Sequence, residues 1–174
     1  VERFGHETEF PCLIKPSQSH LFFARFGRKM VPVQDLDEMM KYYRQAVEAG
    51  LEVVLQEIIP GDDAQVVNYN SYFLDGQPVA EFTAQHLRKA PPQFGSPCVA
   101  ISRQIPDVID PGRKILQALN FYGYSCSEFK LDPRDGIYKF MEVNGRHNLS
   151  TLLAVRCGIN FPWLHYCHLS TGEI

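Results

Sequence analysis

The sequence predicts an α+β fold, and three observations carry that expectation. Strands are joined to their neighbours by tight turns instead of long helical crossovers, as at Asp75-Gly76 and at Asp132-Pro133-Arg134-Asp135-Gly136. Apolar residues recur at helical spacing only in isolated runs, near 39–47 and 111–122. Helices and strands alternate irregularly, unlike the regular βαβ succession of a doubly wound sheet.

In chain order, Pro11 to Pro16 encloses a short buried strand, Cys12-Leu13-Ile14-Lys15, followed by a loop. After the basic run at 25–29, residues 30–33 form a second strand. Asp35 and Asp37 stand where an N-cap and an acidic first turn belong, ahead of Met39, Met40, Tyr43, Ala46 and Val47. Gly50 ends that helix. Residues 52–59 are rich in β-formers and stop at Pro60-Gly61. Residues 65–74 and 77–83 make a hairpin around Asp75-Gly76. The stretch at 91–97, Pro-Pro-Gln-Phe-Gly-Ser-Pro, has the composition of a lobe boundary. A helix over 111–122 presents Ile115, Leu116 and Leu119 on one face. Strands at 124–131 and 137–144 follow, then helices near 150–157 and 161–169.

The 174 residues are 45% hydrophobic and 21% charged, with a mean hydropathy of −0.20, enough for a packed core and incompatible with a disordered tail or a fibre. No apolar stretch approaches the ~20 residues of a membrane span. A net charge of −3 argues against a general nucleic-acid binder. Five cysteines, with no CxxC among them, are expected as buried reduced thiols of a cytoplasmic protein, and the six histidines form no HExxH motif. The chain opens Val1-Glu2-Arg3-Phe4 without methionine or signal pattern and is expected to be a piece of something longer.

The chemistry concentrates at 127–130 and 141–146. In a strand, residues i and i+2 share a face, so Glu142 and Asn144 point the same way. If Leu131 pairs with Ile137, Glu128 lies opposite Phe140 and diagonal to Glu142, ~7–8 Å between backbones. A turn one residue shorter would send Glu128 to the other face. Two carboxylates and an amide oxygen suit Mg²⁺. The same residues also make an ordinary polar strand end with solvated charges. Likewise Lys15, at the end of an apolar strand, either meets an anion or snorkels to water.

Glu142-Val143-Asn144-Gly145-Arg146 after a strand, with an acidic residue on the preceding strand, resembles the metal-binding end of ATP-grasp ligases. Phe10-Pro11-Cys12-Leu13-Ile14-Lys15-Pro16-Ser17 is similar to that superfamily's strand ending in a phosphate-contacting lysine. Leu55-Gln56-Glu57-Ile58-Ile59-Pro60-Gly61 resembles its adenine-holding connection, and Gly158-Ile159-Asn160-Phe161-Pro162 the segment after the metal strand. Four matches in order, over about residues 4–172, resemble the carboxylate–amine ligases of the D-aspartate-ligase and carbamoyl-phosphate-synthase-like type.

The resemblance implies two α+β lobes with antiparallel sheets enclosing a nucleotide cleft. Residues 1–60 would be the small, lid-side lobe and 61–174 the large lobe with the metal site. An N-terminal domain of the same polypeptide, absent from this chain, would precede them. It implies binding of ATP with Mg²⁺ (or Mn²⁺) and activation of a small-molecule carboxylate as an acyl phosphate for attack by an amine. Neither nucleic acid nor membrane is implied, and a homodimer is compatible. The alternative is a non-catalytic ATP-binding module that regulates a larger protein. An interaction domain without nucleotide would require the four matches to be accidental.

By the same resemblance Lys15 contacts phosphate, Glu57 and Ile59 offer backbone groups to adenine, and Gln56 adds a side-chain contact. Asp63 takes the ribose hydroxyls. Within 85–89, Gln-His-Leu-Arg-Lys, the residue facing phosphate is His86 or Arg88, with Lys89 a further source of charge. Glu128, Glu142 and Asn144 hold the metal. Arg146 stabilises charge on the transferring phosphate, the alternative being an ion pair with Glu128 or Glu142, with His147 and Asn148 behind it. The loop after Lys15 lacks the glycines that let backbone close over phosphates, and its Phe22 and Phe23 pack either as a lid or as core. Gly145 replaces a common proline without touching the ligands.

Overall fold

The computed structural model describes residues 1–92 and 95–173. The chain divides into two compact units, Val1–Ile58 and Ile59–Ile174, each described here by itself. The first contains α1 (Glu2–Glu7), β1 (Cys12–Pro16), α2 (Ser19–Phe26), β2 (Val31–Val33), α3 (Leu36–Glu48) and β3 (Val53–Glu57). Its three strands form an antiparallel sheet in the order β2-β1-β3. Alternation along β1 sends Cys12 and Ile14 to one face, where they form a core with Phe22, Val31, Val33 and Met39. Helix α3 begins as its sequence predicts. The Asp35 carboxylate accepts from the Glu38 backbone N–H at 2.8 Å, and Glu38 accepts in turn from that of Gln34.

The segment after Lys15 departs from expectation, because residues 19–26 form a helix, α2, and no loop. Phe22 and Phe26, one turn apart, meet at 4.4 Å between ring centroids, and Gly27 closes the helix in the left-handed conformation (φ 66°). Phe22 is core, whereas Phe23 is half exposed.

The second unit contains β4 (Val66–Leu74), β5 (Gln77–Ala90), β6 (Ser96–Ser102), α4 (Ile109–Ala118), β7 (Gly123–Asp132), β8 (Ile137–Asn144), α5 (Thr151–Arg156) and α6 (Phe161–Thr171). The five strands are antiparallel in the order β6-β5-β4-β7-β8. Positive φ at Asp75 and Gly76, 49° and 74°, makes the β4–β5 turn expected from the sequence. Strand β5 runs seven residues beyond Thr83 and pairs with β6. Both strands belong to this unit, so the chain does not divide between them, in the stretch at 91–97. Gln93 and Phe94 of that stretch lie outside the described residues.

One face of the sheet presents Val67, Tyr69, Phe73 and Phe129 to Ile105, Val108 and Leu116, beneath α4. Leu119 is exposed because α4 stops one residue earlier. A polar clamp ties α4 to the sheet. Arg113 binds Glu81 through two hydrogen bonds (2.8 and 2.5 Å), and the Tyr69 hydroxyl donates to the same carboxylate at 2.5 Å. Burial pushes the Glu81 carboxyl up, but these bonds outweigh it and hold the group below the usual carboxylate range. The opposite face presents Tyr72, Tyr124 and Cys126 to Ala154 and Phe161 of the last two helices.

All five cysteines are free thiols, but only Cys12 and Cys126 are buried. Cys98 and Cys157 are exposed because their apolar neighbours lie on edges and caps. No helix among the described residues is long and apolar enough to cross a membrane.

Candidate active site

The acidic residues owe their placement to a β-bulge. The turn after β7 sets Asp132 opposite Ile137, so a regular ladder would bring Met141, not Glu142, opposite Glu128. A register shift between Glu128 and Phe129 absorbs one residue of β8. Beyond it the pairs are Glu128↔Glu142, Ser127↔Val143 and Cys126↔Asn144. Glu128 and Glu142 thus lie directly opposite each other, not diagonally, and share a face with Asn144 and Cys126. The Asn144 amide donates to Glu142 at 2.9 Å. Burial, then the charges of Glu128 and Glu142, push the Cys126 thiol well above its ordinary value.

Arg146 follows β8 in a bend, close enough to Cys126 to lower that thiol's pKa slightly. The next residues are pinned firmly. His147 stacks on Tyr124 at 4.2 Å between centroids, and the Tyr124 hydroxyl donates to Asn70 at 2.9 Å. The Asn148 side chain donates to Asn70 and accepts from the Ser150 backbone N–H and hydroxyl.

Sequence reasoning overlooked Lys130, although alternation along β7 already puts it on the face of Glu128 and Cys126. Its ammonium donates to the carbonyls of Ile59 (2.9 Å) and Gly61 (2.8 Å). Burial, then Lys89, lower the Lys130 pKa, opposed by Asp63, Asp62 and Asp132. Asp63 lies in a short 3-10 turn (Asp63–Gln65) whose N-cap Asp62 accepts from Ala64.

His86 is fully buried, and neither ring nitrogen has a hydrogen-bond partner. Burial, then Lys89, bring its pKa down to about 4, against an opposing pull from Asp63. The imidazole is accordingly neutral near pH 7 and supplies no cation. Arg88 does not share its face. His86 pairs with Ala100 and Arg88 with Val99, two consecutive residues of β6 that point opposite ways. Lys89 is the cation whose charge reaches both His86 and Lys130.

In the first unit Lys15 and Gln56 meet, the ammonium donating to the Gln56 amide oxygen at 3.2 Å. Leu13 pairs with Gln56 and Cys12 with Glu57. Gln56 therefore shares the face of Lys15, away from the core, while Glu57 lies on the Cys12 face, where its charge contributes to raising the buried thiol's pKa.

No protein-family model matches the chain. It is 28% identical over 160 residues to a D-aspartate ligase from Enterococcus faecium, covering 87% of this chain but only 38% of that protein. Among solved structures it resembles the biotin carboxylase domain dimer of Hydrogenobacter thermophilus 2-oxoglutarate carboxylase, in complex with MgADP, ADP and bicarbonate. The TM-score is 0.68 at 18% identity, over 99% of this chain and 39% of that one. It also resembles the D-alanine–D-alanine ligase of Bacillus anthracis complexed with ATP, with a TM-score of 0.62 at 18% identity, over 95% of this chain and 55% of that one.

Proposed function

We propose, from the premise that the chain is built on the ATP-grasp fold, that it is the nucleotide-binding part of an ATP-dependent carboxylate–amine ligase. One observation carries this: the bulge brings Glu128 and Glu142 directly opposite each other beside Asn144. With the Asn144 amide oxygen, the two carboxylates are a set of the hard oxygen donors that Mg²⁺ or Mn²⁺ takes. When bound, such an ion supplies neutralisation of phosphate charge.

The chain's own residues would do the rest. Lys15 would hold a phosphate oxygen, exchanging its bond to Gln56 for one to the anion. The Glu57 carbonyl and the Ile59 N–H would address the adenine edge, with Gln56 at its side and Asp63 at the ribose. Lys130 keeps the Ile59–Gly61 backbone in place for that task. Of His86, Arg88 and Lys89, the charge for phosphate would come from Arg88 or Lys89, the latter's charge also reaching His86 and Lys130. A carboxylate oxygen of the substrate bonds to the γ-phosphorus as the bond from phosphorus to the β–γ bridging oxygen breaks, and ADP leaves. The amine nitrogen then attacks the acyl carbon, phosphate departs and the nitrogen gives its proton to water. Arg146 would pair with the oxygens that gather charge. Similarity to a D-aspartate ligase makes an amino-acid carboxylate the first substrate class to try.

Thermal melts with MgATP, with Mg²⁺ alone and with the Glu142→Ala/Asn144→Ala variant test the nucleotide site. Ligand at about 100 times its Kd stabilises by about 2.7 kcal/mol, a shift of roughly 5–10 °C for a chain of this size. The shift should require Mg²⁺ and vanish in the variant; a cooperative melt that ATP leaves unmoved would overturn the proposal. The neutral, buried His86 favours a second reading, a nucleotide-binding module without turnover. ATP binding with no ADP release, when D-aspartate and amines are supplied, would select it.

A further inference from the structure

We propose that Asn68 of β4 is a positioning residue of the cation site, an inference that rests on Glu128 and Glu142 as cation ligands and not on ligase turnover. Its amide oxygen accepts from the water shell of the ion that those two carboxylates hold. The strand registers set the geometry. Asn68 pairs with Glu128, and Glu128 with Glu142, so the three side chains stand in one row across β4, β7 and β8 on one face of the sheet. Neighbours in such a row lie about 5 Å apart between Cβ atoms. Glu128 is thus flanked by Glu142 on one side and by Asn68 on the other.

Asn68 is 2% exposed, and its Oδ1 is buried with no hydrogen-bond donor among the described residues. A buried acceptor left open is unfavourable and uncommon, and the surroundings explain why the chain itself supplies no donor. Glu128, when ionised, only accepts. Ala84, opposite Asn68 on β5, carries no polar side chain, and neither nitrogen of His86, two residues further along that strand, reaches the oxygen. Asn70, the next residue of β4 on this face, is fully committed. It donates to the Phe82 carbonyl at 3.4 Å and accepts from Tyr124 and Asn148. The unpartnered Ser127 Oγ belongs to the opposite face, because Ser127 pairs with Tyr69. An open acceptor beside a carboxylate calls for a donor that comes with positive charge. Hydrated Mg²⁺ or Mn²⁺ meets that need, since an ion held by one or two carboxylates keeps several waters, and those waters donate. A direct bond to the ion suits Asn68 less, its side chain being short and on the far side of Glu128 from Glu142.

Uptake of Mn²⁺ by the 174-residue chain, followed by loss of the free-ion EPR signal, is the test, with Asn68→Leu and Asn68→Asp as variants. Leucine has nearly the volume of asparagine but no acceptor, and should weaken Mn²⁺ binding about 10- to 100-fold, the usual effect of removing a group that supports a metal ligand. Aspartate keeps an acceptor in place and should bind at least as tightly as the parent. Without metal, Asn68→Leu should melt no lower than the parent, because an unpartnered buried oxygen is gone. An asparagine with a merely structural role would lose stability there instead. An Asn68→Leu chain that takes up Mn²⁺ as the parent does overturns the proposal, and so does Asn68→Asp binding no better than Asn68→Leu. A parent chain that takes up no Mn²⁺ overturns both this role and the cation site itself. Uptake that Glu142→Ala abolishes, in a chain whose melting MgATP leaves unmoved, would sink the ligase reading alone.

Discussion

At the scale of single residues, the charged groups that decide behaviour are those held against the backbone. The Asp132 side chain is 1% exposed and receives the Arg134 guanidinium on both oxygens, besides the Arg134 backbone N–H at 3.0 Å. Arg134 holds its carboxyl down at about pH 2, below the ordinary carboxylate range. A depressed carboxyl contributes stability that is complete above the unfolded-state pKa and is lost as pH falls through the folded one. Asp132→Asn should therefore be less stable than the parent at pH 7, and urea titrations should show the difference closing as pH drops from about 4 to 2. A difference unchanged over that window would mean the ion pair is not its source. The sequence marks Asp132 to Gly136 as a turn but cannot show that Arg134 folds back onto Asp132. Lys130 was similarly half-legible. Alternation gives its face, while its carbonyl partners lie 69 and 71 residues away in the chain.

At the scale of elements, register and close approach do most of the work. The polar end of β8 was readable from the spacing of Glu142 and Asn144. The bulge that brings Glu142 opposite Glu128 was not, since an extra residue in a ladder carries no composition of its own. The same limit applies to α2, where a serine-rich start read as loop conceals the pairing of Phe22 with Phe26. Helix α4 lies so close to β4 that a methyl group on Gly112 would come within 2.4 Å of the Tyr69 ring. That ring is fully buried, and its hydroxyl is committed to Glu81. Gly112→Ala should thus destabilise the protein by about 1–3 kcal/mol, the usual cost of overpacking, despite the better helix propensity of alanine. Chemical denaturation measures this, and a neutral or stabilising outcome would show that α4 can move outward freely.

At the scale of the whole molecule, the turns at 75–76 and 132–136 make neighbours of β4–β5 and β7–β8, whereas the β4–β7 and β1–β3 pairings join strands distant in the chain, and the α+β class with antiparallel sheets is as expected. The composition-based boundary at 91–97 misplaced the division, because prolines and glycines mark a hairpin end as readily as a linker. The five thiols, expected to behave alike, instead sort into classes by depth, which equips the protein with a chemical clock for its own unfolding. Cys98 and Cys157 are open to reagents, Cys167 is partly covered, and Cys12 and Cys126 are sealed in separate units, the latter kept protonated by its surroundings. Under native conditions, intact-mass spectrometry should find a maleimide on Cys98 and Cys157 first, with Cys12 and Cys126 unmodified until denaturant is added. The order in which those last two acquire the label would then tell which of the two units opens first, without any tag or dye having been engineered into it.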